Sequence, residues 1–189
     1  MEKENQRIAI SKRLLKEALF RLLKEKDISK ISITELCQEA GINRATFYRH
    51  YTVPQDVLVD MEKELIEQAH KIAPLPATTQ GIMPHLEKLF TFIYDNRELA
   101  RILIRSNTET HLFQLFDVRS LAILEAKAAA KDEFLFDKTN LKLLSAFLGG
   151  GGYFLVRAWL MDDVSKTPKE IAQFTYELLN QNLNSYIVG

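Results

Sequence analysis

The stretch Ser32–Tyr51, SITELCQEAGINRATFYRHY, constrains this chain most, because it holds two short helical patterns separated by a three-residue break that makes the second cross the first. Ser32 and Glu35 form a capping box, in which hydroxyl and carboxylate each satisfy a backbone donor that the first helical turn leaves unpaired. Leu36, Cys37 and Ala40 follow inward helical spacing, and Gly41 supplies the left-handed conformation that ends a helix. Ile42 plugs the corner. Asn43 caps a second helix from about Arg44, with Phe47 inward and Arg44, Ala45, Thr46, Tyr48, Arg49 and His50 on the outer face or at its ends. A helix this short needs neighbours for stability, and its donor-rich outer face reads as a surface presented to a partner.

The rest of the chain extends that helical pattern. Long runs rich in Leu, Ala, Lys, Glu and Phe repeat their apolar residues every three to four positions, Gly and Pro number only 7 and 5, and 47% of residues are hydrophobic. The expectation is an all-α protein with a sizeable core. The net charge is zero but polarised: residues 1–52 hold 11 Lys and Arg against 7 Asp and Glu (+4), and residues 53–189 hold 14 against 18 (−4). A basic N-terminal part suits phosphate, and the acidic remainder repels it. One cysteine rules out an intramolecular disulfide framework. The charged N-terminus lacks a signal-peptide apolar region, and no run of about 20 apolar residues is read as membrane-spanning, so the expectation is a cytoplasmic protein with no membrane partner.

In chain order, residues 6–26 read as a helix with Ile8, Leu15, Ala18, Leu19 and Leu22 inward and Lys12, Arg13, Lys16, Glu17 and Lys24 in solvent. Residues 26–30 are a polar break. Gln55–Lys71 forms a fourth helix with Val57, Leu58, Met61, Leu65 and Ala69 inward, ending before the Pro/Thr linker at 73–79. Helices are expected at about 82–95, 97–106, 110–131, 139–163 and 168–187, with breaks at Asn96, Asn107 and Thr139-Asn140 and a Thr167 cap before Pro168. The four glycines 149–152 lie in an apolar helical pattern, where they cost about 3–4 kcal/mol relative to alanine. Either another helix packs closely there, the favoured reading, or the run is a loop.

The bracing helix, the capped Ser32–Glu35 start, Ala40-Gly41-Ile42 and the run Ala45-Thr46-Phe47-Tyr48-Arg49-His50-Tyr51 together resemble the N-terminal domain of the tetracycline-repressor (TetR) family, over about residues 8–66. The resemblance implies a three-helix helix-turn-helix DNA-binding domain at 1–53, a connecting helix at 54–73 and a helical-bundle domain at 74–189 for ligand binding and dimerisation. It also implies DNA contact by Ser32, Thr34, Arg44, Ala45, Thr46, Tyr48, Arg49, His50 and Tyr51. In the family the last two long helices form a four-helix dimer interface, to which Gly149, Gly150, Gly151, Gly152, Phe154 and Trp159 would contribute. The family commonly carries a Lys where this chain has Pro54, so the expected phosphate contact lacks its cation; the Thr52 hydroxyl or a free backbone amide is the substitute to look for.

The function expected is a homodimeric repressor that binds double-stranded DNA at a palindromic operator and is released by a small-molecule effector. The alternative is a co-activator or adaptor of the same family that works through a protein partner. Arg44 suits a guanine edge, and Thr46 and Tyr48 suit phosphates or a thymine methyl; Lys30 is a weaker phosphate candidate. Cys37 reads as a small buried hydrophobe, His70, His85 and His111 are too scattered for a metal site, and the Arg97, Arg101 and Arg105 row reads first as a solvated or paired face. No catalytic constellation, cofactor motif or phosphate-cradling loop is present, so an enzyme is not expected.

Overall fold

The computed structural model describes residues 2–106, 110–129, 138–162 and 165–187. The described residues form α1 (Glu2–Leu23), α2 (Ile33–Ala40), α3 (Arg44–Tyr48), α4 (Pro54–Ile72), α5 (Ile82–Asp95), α6 (Arg97–Arg105), α7 (Thr110–Ala129), α8 (Lys138–Met161) and α9 (Pro168–Ile187), with 3-10 turns at Ile28–Lys30 and Thr79–Gly81 and no strand. The expected all-α class is therefore what is found. The expected breaks differ in detail: Thr139 and Asn140 lie in the first turn of α8 rather than ahead of it. Asn107, the His111 side chain and the expected helix ends at 130–131 and 163 lie outside the described residues.

The chain divides into two compact units, one of residues 1–65 and 102–109 and the other of residues 66–101 and 110–189. In the first, α1 packs on α2 around Leu15, Ala18, Leu19, Leu36, Phe47, Val57 and Leu58, all fully buried. Two expectations for α1 fail. Ile8 is exposed, and Lys16 is not a solvent residue: its ammonium pairs with Asp60 at 2.9 Å and Glu64 at 2.5 Å, with only 13% of its side chain exposed. Lys12 likewise reaches Asp60, at 3.3 Å. A long aliphatic stem lets a lysine cover apolar surface while its charge finds a partner, which period counting does not anticipate.

In the second unit, α7 runs along α8 and α5 along α9. The four glycines do not break α8. A Cβ built on Gly149 would lie 2.8 Å from Asp117 Cα, and one on Gly152 would lie 3.2 Å from Phe116 Cδ1, whereas Gly151 faces open space. The backbones of α7 and α8 thus approach to a distance only glycine permits at position 149. Ser145 reinforces the contact by donating to the Asp117 carbonyl at 3.2 Å. Trp159 closes the other end of α8, stacked on Tyr94 and edge-on to Phe90. Among the described residues, Thr139–Met161 is, by length and a mean hydropathy of 1.3, apolar enough to cross a membrane, contrary to the expectation that no such run exists; the apolar side chains on either side of the glycines produce that average.

Candidate nucleic-acid interface

The helix-turn-helix geometry follows from three local devices. Ser32 Oγ accepts the Glu35 amide at 3.2 Å and starts α2. The Glu35 carboxylate departs from a simple capping box, because Lys26 is its principal partner and the Ser32 amide a lesser one; together they hold it below the usual carboxylate range. At the other end, Ile42 N–H donates to the Cys37 carbonyl at 2.9 Å and Gly41 N–H to the Gln38 carbonyl at 3.1 Å, with Gly41 at φ 65°. This is a Schellman ending, and it turns the chain into α3. Asn43 Oδ1 then accepts the Thr46 amide at 2.8 Å.

Only Phe47 of α3 is buried; Arg44, Ala45 and Tyr48 are exposed, as is Arg49 just beyond, while Thr46 is partly exposed. Arg44 Nη2 donates to Tyr48 Oη at 3.4 Å and its guanidinium lies 6.0 Å from the Tyr48 ring centre. The pair forms a cationic, aromatic surface whose remaining N–H groups are available to a groove or phosphate. Ser32 and Thr34 are exposed at the start of α2. His50 is half-buried, and desolvation with the nearby Lys12 and Arg49 charges lowers its pKa, so at neutral pH it offers a neutral imidazole rather than a cation.

Tyr51 is the exception among the expected contact residues. Its ring is buried, it packs against Phe47, and its hydroxyl donates to Asp60 at 2.6 Å, so it holds the motif instead of facing a partner. Burial first, then that carboxylate, pushes the Tyr51 phenol far above its ordinary value. Burial acts to raise Asp60, but Tyr51, Lys16 and Lys12 outweigh it and bring its carboxyl down to about 2. Lys12 Nζ also lies 5.3 Å from the Tyr51 ring centre. Asp60 therefore organises three elements, and sequence reading missed it because an Asp on the polar side of an amphipathic helix looks like solvent surface.

The α4 start resolves what stands near Pro54. Asp56 Oδ2 accepts the amides of Thr52 at 2.7 Å and Val53 at 3.0 Å, the way an acid at the third helical position reaches back to cap its own helix. Those two amides are not available for a phosphate. Pro54 sits at the first helical position, where its missing N–H costs nothing.

Other expected candidates disperse. Cys37 is buried, and burial raises its thiol pKa, which suits an inert packing role. Arg97 lies over the Tyr94 ring, and Arg101 donates to the Leu160 carbonyl at 2.8 Å; both line a cleft of about 490 Å³ with Trp159 and Lys166. Of the residues expected at a dimer interface, Gly149 and Trp159 are covered by α7 and α5 of the same chain, whereas Gly151 and Phe154 are exposed. Among the described residues no group of three His, Cys, Asp or Glu is placed to hold a metal.

Two family descriptions match the chain. Residues 15–53 match "Bacterial regulatory proteins, tetR family", and residues 81–181, more than half of the chain, match "Transcriptional regulator C-terminal region" of the TetR type. The chain belongs to the TetR family of transcriptional regulators. Curated relatives include the uncharacterized HTH-type transcriptional regulator YxbF of Bacillus subtilis (strain 168), 24% identical across 93% of this chain and 46% of its own length. An HTH-type transcriptional regulator from Haemophilus influenzae is 32% identical across 53% of this chain and 52% of its own. The chain thus spans about half the length of the curated relatives it matches. Among solved structures, a TetR regulator from Streptococcus agalactiae 2603V shares the fold at TM-score 0.69 and 17% identity, covering 94% of this chain and 98% of that one. The dihydroxyacetone kinase operon activator DhaS does so at 0.67 and 13%, covering 93% and 97%. The TetR-type N-terminal match ends at residue 53, just before the Asp56 cap, and Asp60 also lies beyond it.

Proposed function

We propose that this chain is a repressor that binds a palindromic operator as a homodimer in the cytoplasm, reads DNA with α3 and the start of α2, and is released by a small-molecule effector. In this reading residues 1–53 recognise DNA, 54–73 connect, and 74–189 dimerise and hold the effector. The observation that carries it is α3 itself: one buried anchor, Phe47, and an outer face built of Arg44, Ala45, Thr46, Tyr48 and Arg49. Arg44 takes a guanine edge, Thr46 and Tyr48 take phosphate or a thymine methyl, and Ser32, Thr34 and His50 take phosphate. Homodimerisation is supported by apolar side chains exposed at helical spacing, Leu143, Phe147 and Phe154 on α8 and Phe174 on α9, the first three of them more than 60% exposed. The test is a gel shift against the DNA flanking the gene at several salt concentrations, with a reporter that tells repression from activation. Absence of salt-sensitive binding to any such fragment rejects the reading.

A second reading, a co-activator or adaptor acting through a protein partner, is favoured by one feature. Asp56 consumes the Thr52 and Val53 amides and puts a carboxylate, not a cation, at the start of α4. Arg44→Ala combined with Tyr48→Ala separates the two, since regulation that survives both changes does not depend on the α3 face.

A further inference from the structure

Two polar side chains in the second unit occupy positions where the helical pattern calls for apolar ones. Arg119 on α7 is flanked one turn away by buried Leu115, Phe116 and Ile123; His85 on α5 is flanked by buried Ile82 and Leu89. The two are only 2% and 3% exposed. Both are tied to the same short stretch of backbone. Arg119 Nη2 donates to the Ala69 carbonyl at 3.1 Å and the Ala73 carbonyl at 3.3 Å, and His85 Nδ1 lies 2.8 Å from the Pro74 carbonyl. Arg119 Nε and Nη1 and His85 Nε2 are buried with no hydrogen-bond partner among the described residues. A carbonyl only accepts, so Nδ1 carries the His85 proton, and the neutral ring presents Nε2 as an acceptor. Burial, then the Arg119 charge, keeps that ring neutral despite the Pro74 carbonyl. Burial lowers the Arg119 pKa to about 10, which still leaves it charged at neutral pH.

A buried guanidinium without a carboxylate is costly, and it is most useful where an anion completes it. We propose that Arg119 and His85 form the head-group site for a small aliphatic hydroxy acid, whose carboxylate forks onto Arg119 and whose hydroxyl donates to His85 Nε2. Both bidentate edges of a guanidinium, Nε with Nη2 and Nη1 with Nη2, use an Nη2 hydrogen. The ligand must therefore take Arg119 from the Ala69 or Ala73 carbonyl, and so loosens the last turn of α4 as it binds. The apolar residues one turn from each polar group receive the chain. That such a ligand is the effector that releases DNA rests on the function proposed above; the binding does not.

The test is calorimetry on the full chain without DNA, with 3-hydroxyoctanoate, octanoate and 1,3-octanediol as probes. The hydroxy acid is expected to bind roughly tenfold more tightly than octanoate, the value of one added hydrogen bond, and the diol not to bind. Arg119→Met removes an unpaired buried charge and is expected to fold and to lose both acids. His85→Phe is expected to bind the two acids equally. Diol binding as tight as the acid, acid binding retained in Arg119→Met, or no binding by 3-hydroxyoctanoate overturns the proposal. A gel shift beside it separates the two readings: DNA binding without acid binding rejects this site alone, and acid binding without DNA binding rejects the regulator reading and leaves the site standing.

Discussion

The Tyr51 hydroxyl donates to the Asp60 carboxylate at 2.6 Å, and this bond ties the end of the helix-turn-helix to the middle of α4. Tyr51→Phe deletes a hydrogen bond to a charged acceptor without opening a cavity. The expected loss is about 1–2 kcal/mol, read as a fall of about 2–8 °C in melting temperature.

Asp60 gives the same region a pH dependence. Its carboxyl falls from an ordinary 3.8 to about 2 in the folded protein, so its contribution is fully present above about pH 4 and is lost as pH falls toward 2. The shift corresponds to at most about 2 kcal/mol. Denaturant unfolding of the chain and of Asp60→Asn at pH 5 and pH 2.5 checks it; the difference between them should shrink at the lower pH.

Asp56 sets stability against DNA affinity. Asp56→Ala removes the cap on Thr52 and Val53, at a cost of about 1 kcal/mol. It also frees two amides and deletes a negative charge beside the proposed DNA surface. Gel shifts should show tighter binding despite the lower melting temperature.

Arg44→Ala should do the reverse. The residue is exposed and its one hydrogen bond, to Tyr48, is long at 3.4 Å, so the melting temperature should hold within about 1 °C. Operator binding should weaken by about 1–3 kcal/mol, with discrimination relaxed at a single base pair.

The glycine run provides an internal control. Gly149→Ala drives a methyl into the Asp117 backbone, 2.8 Å away, and should cost about 1–3 kcal/mol. Gly151→Ala meets nothing of its own chain and should stabilise α8 by up to about 1 kcal/mol. Thermal melts of the two variants should move in opposite directions.

What the sequence made legible was what local rules govern. The Ser32 cap, the Gly41 ending, the Asn43 cap and inward Phe47 all depend on residues a few positions apart, and each is found where spacing puts it. The helices at 82–95 and 168–187 follow from apolar periodicity and the Thr167-Pro168 start. What stayed hidden depends on partners far along the chain. Lys12 and Lys16 looked solvated because their acid lies more than forty residues away, and Tyr51 looked outward until Asp60 gave its hydroxyl a half-buried partner. Arg119 carried a signal that was readable and went unread: a cation in the middle of the stripe Leu112, Leu115, Phe116, Ile123.

α3 is held in place by one side chain. Because Phe47 alone is its root, and the cap and turn that aim it belong to Asn43 and Gly41, the residues on its outer surface carry little of the fold's stability. In the proposed DNA-reading role, address and anchorage are separate. If α3 reads DNA as proposed, exchanging Arg44, Ala45, Thr46 and Tyr48 as a set is therefore a route to redirecting the chain to a new operator while leaving its melting temperature nearly where it was.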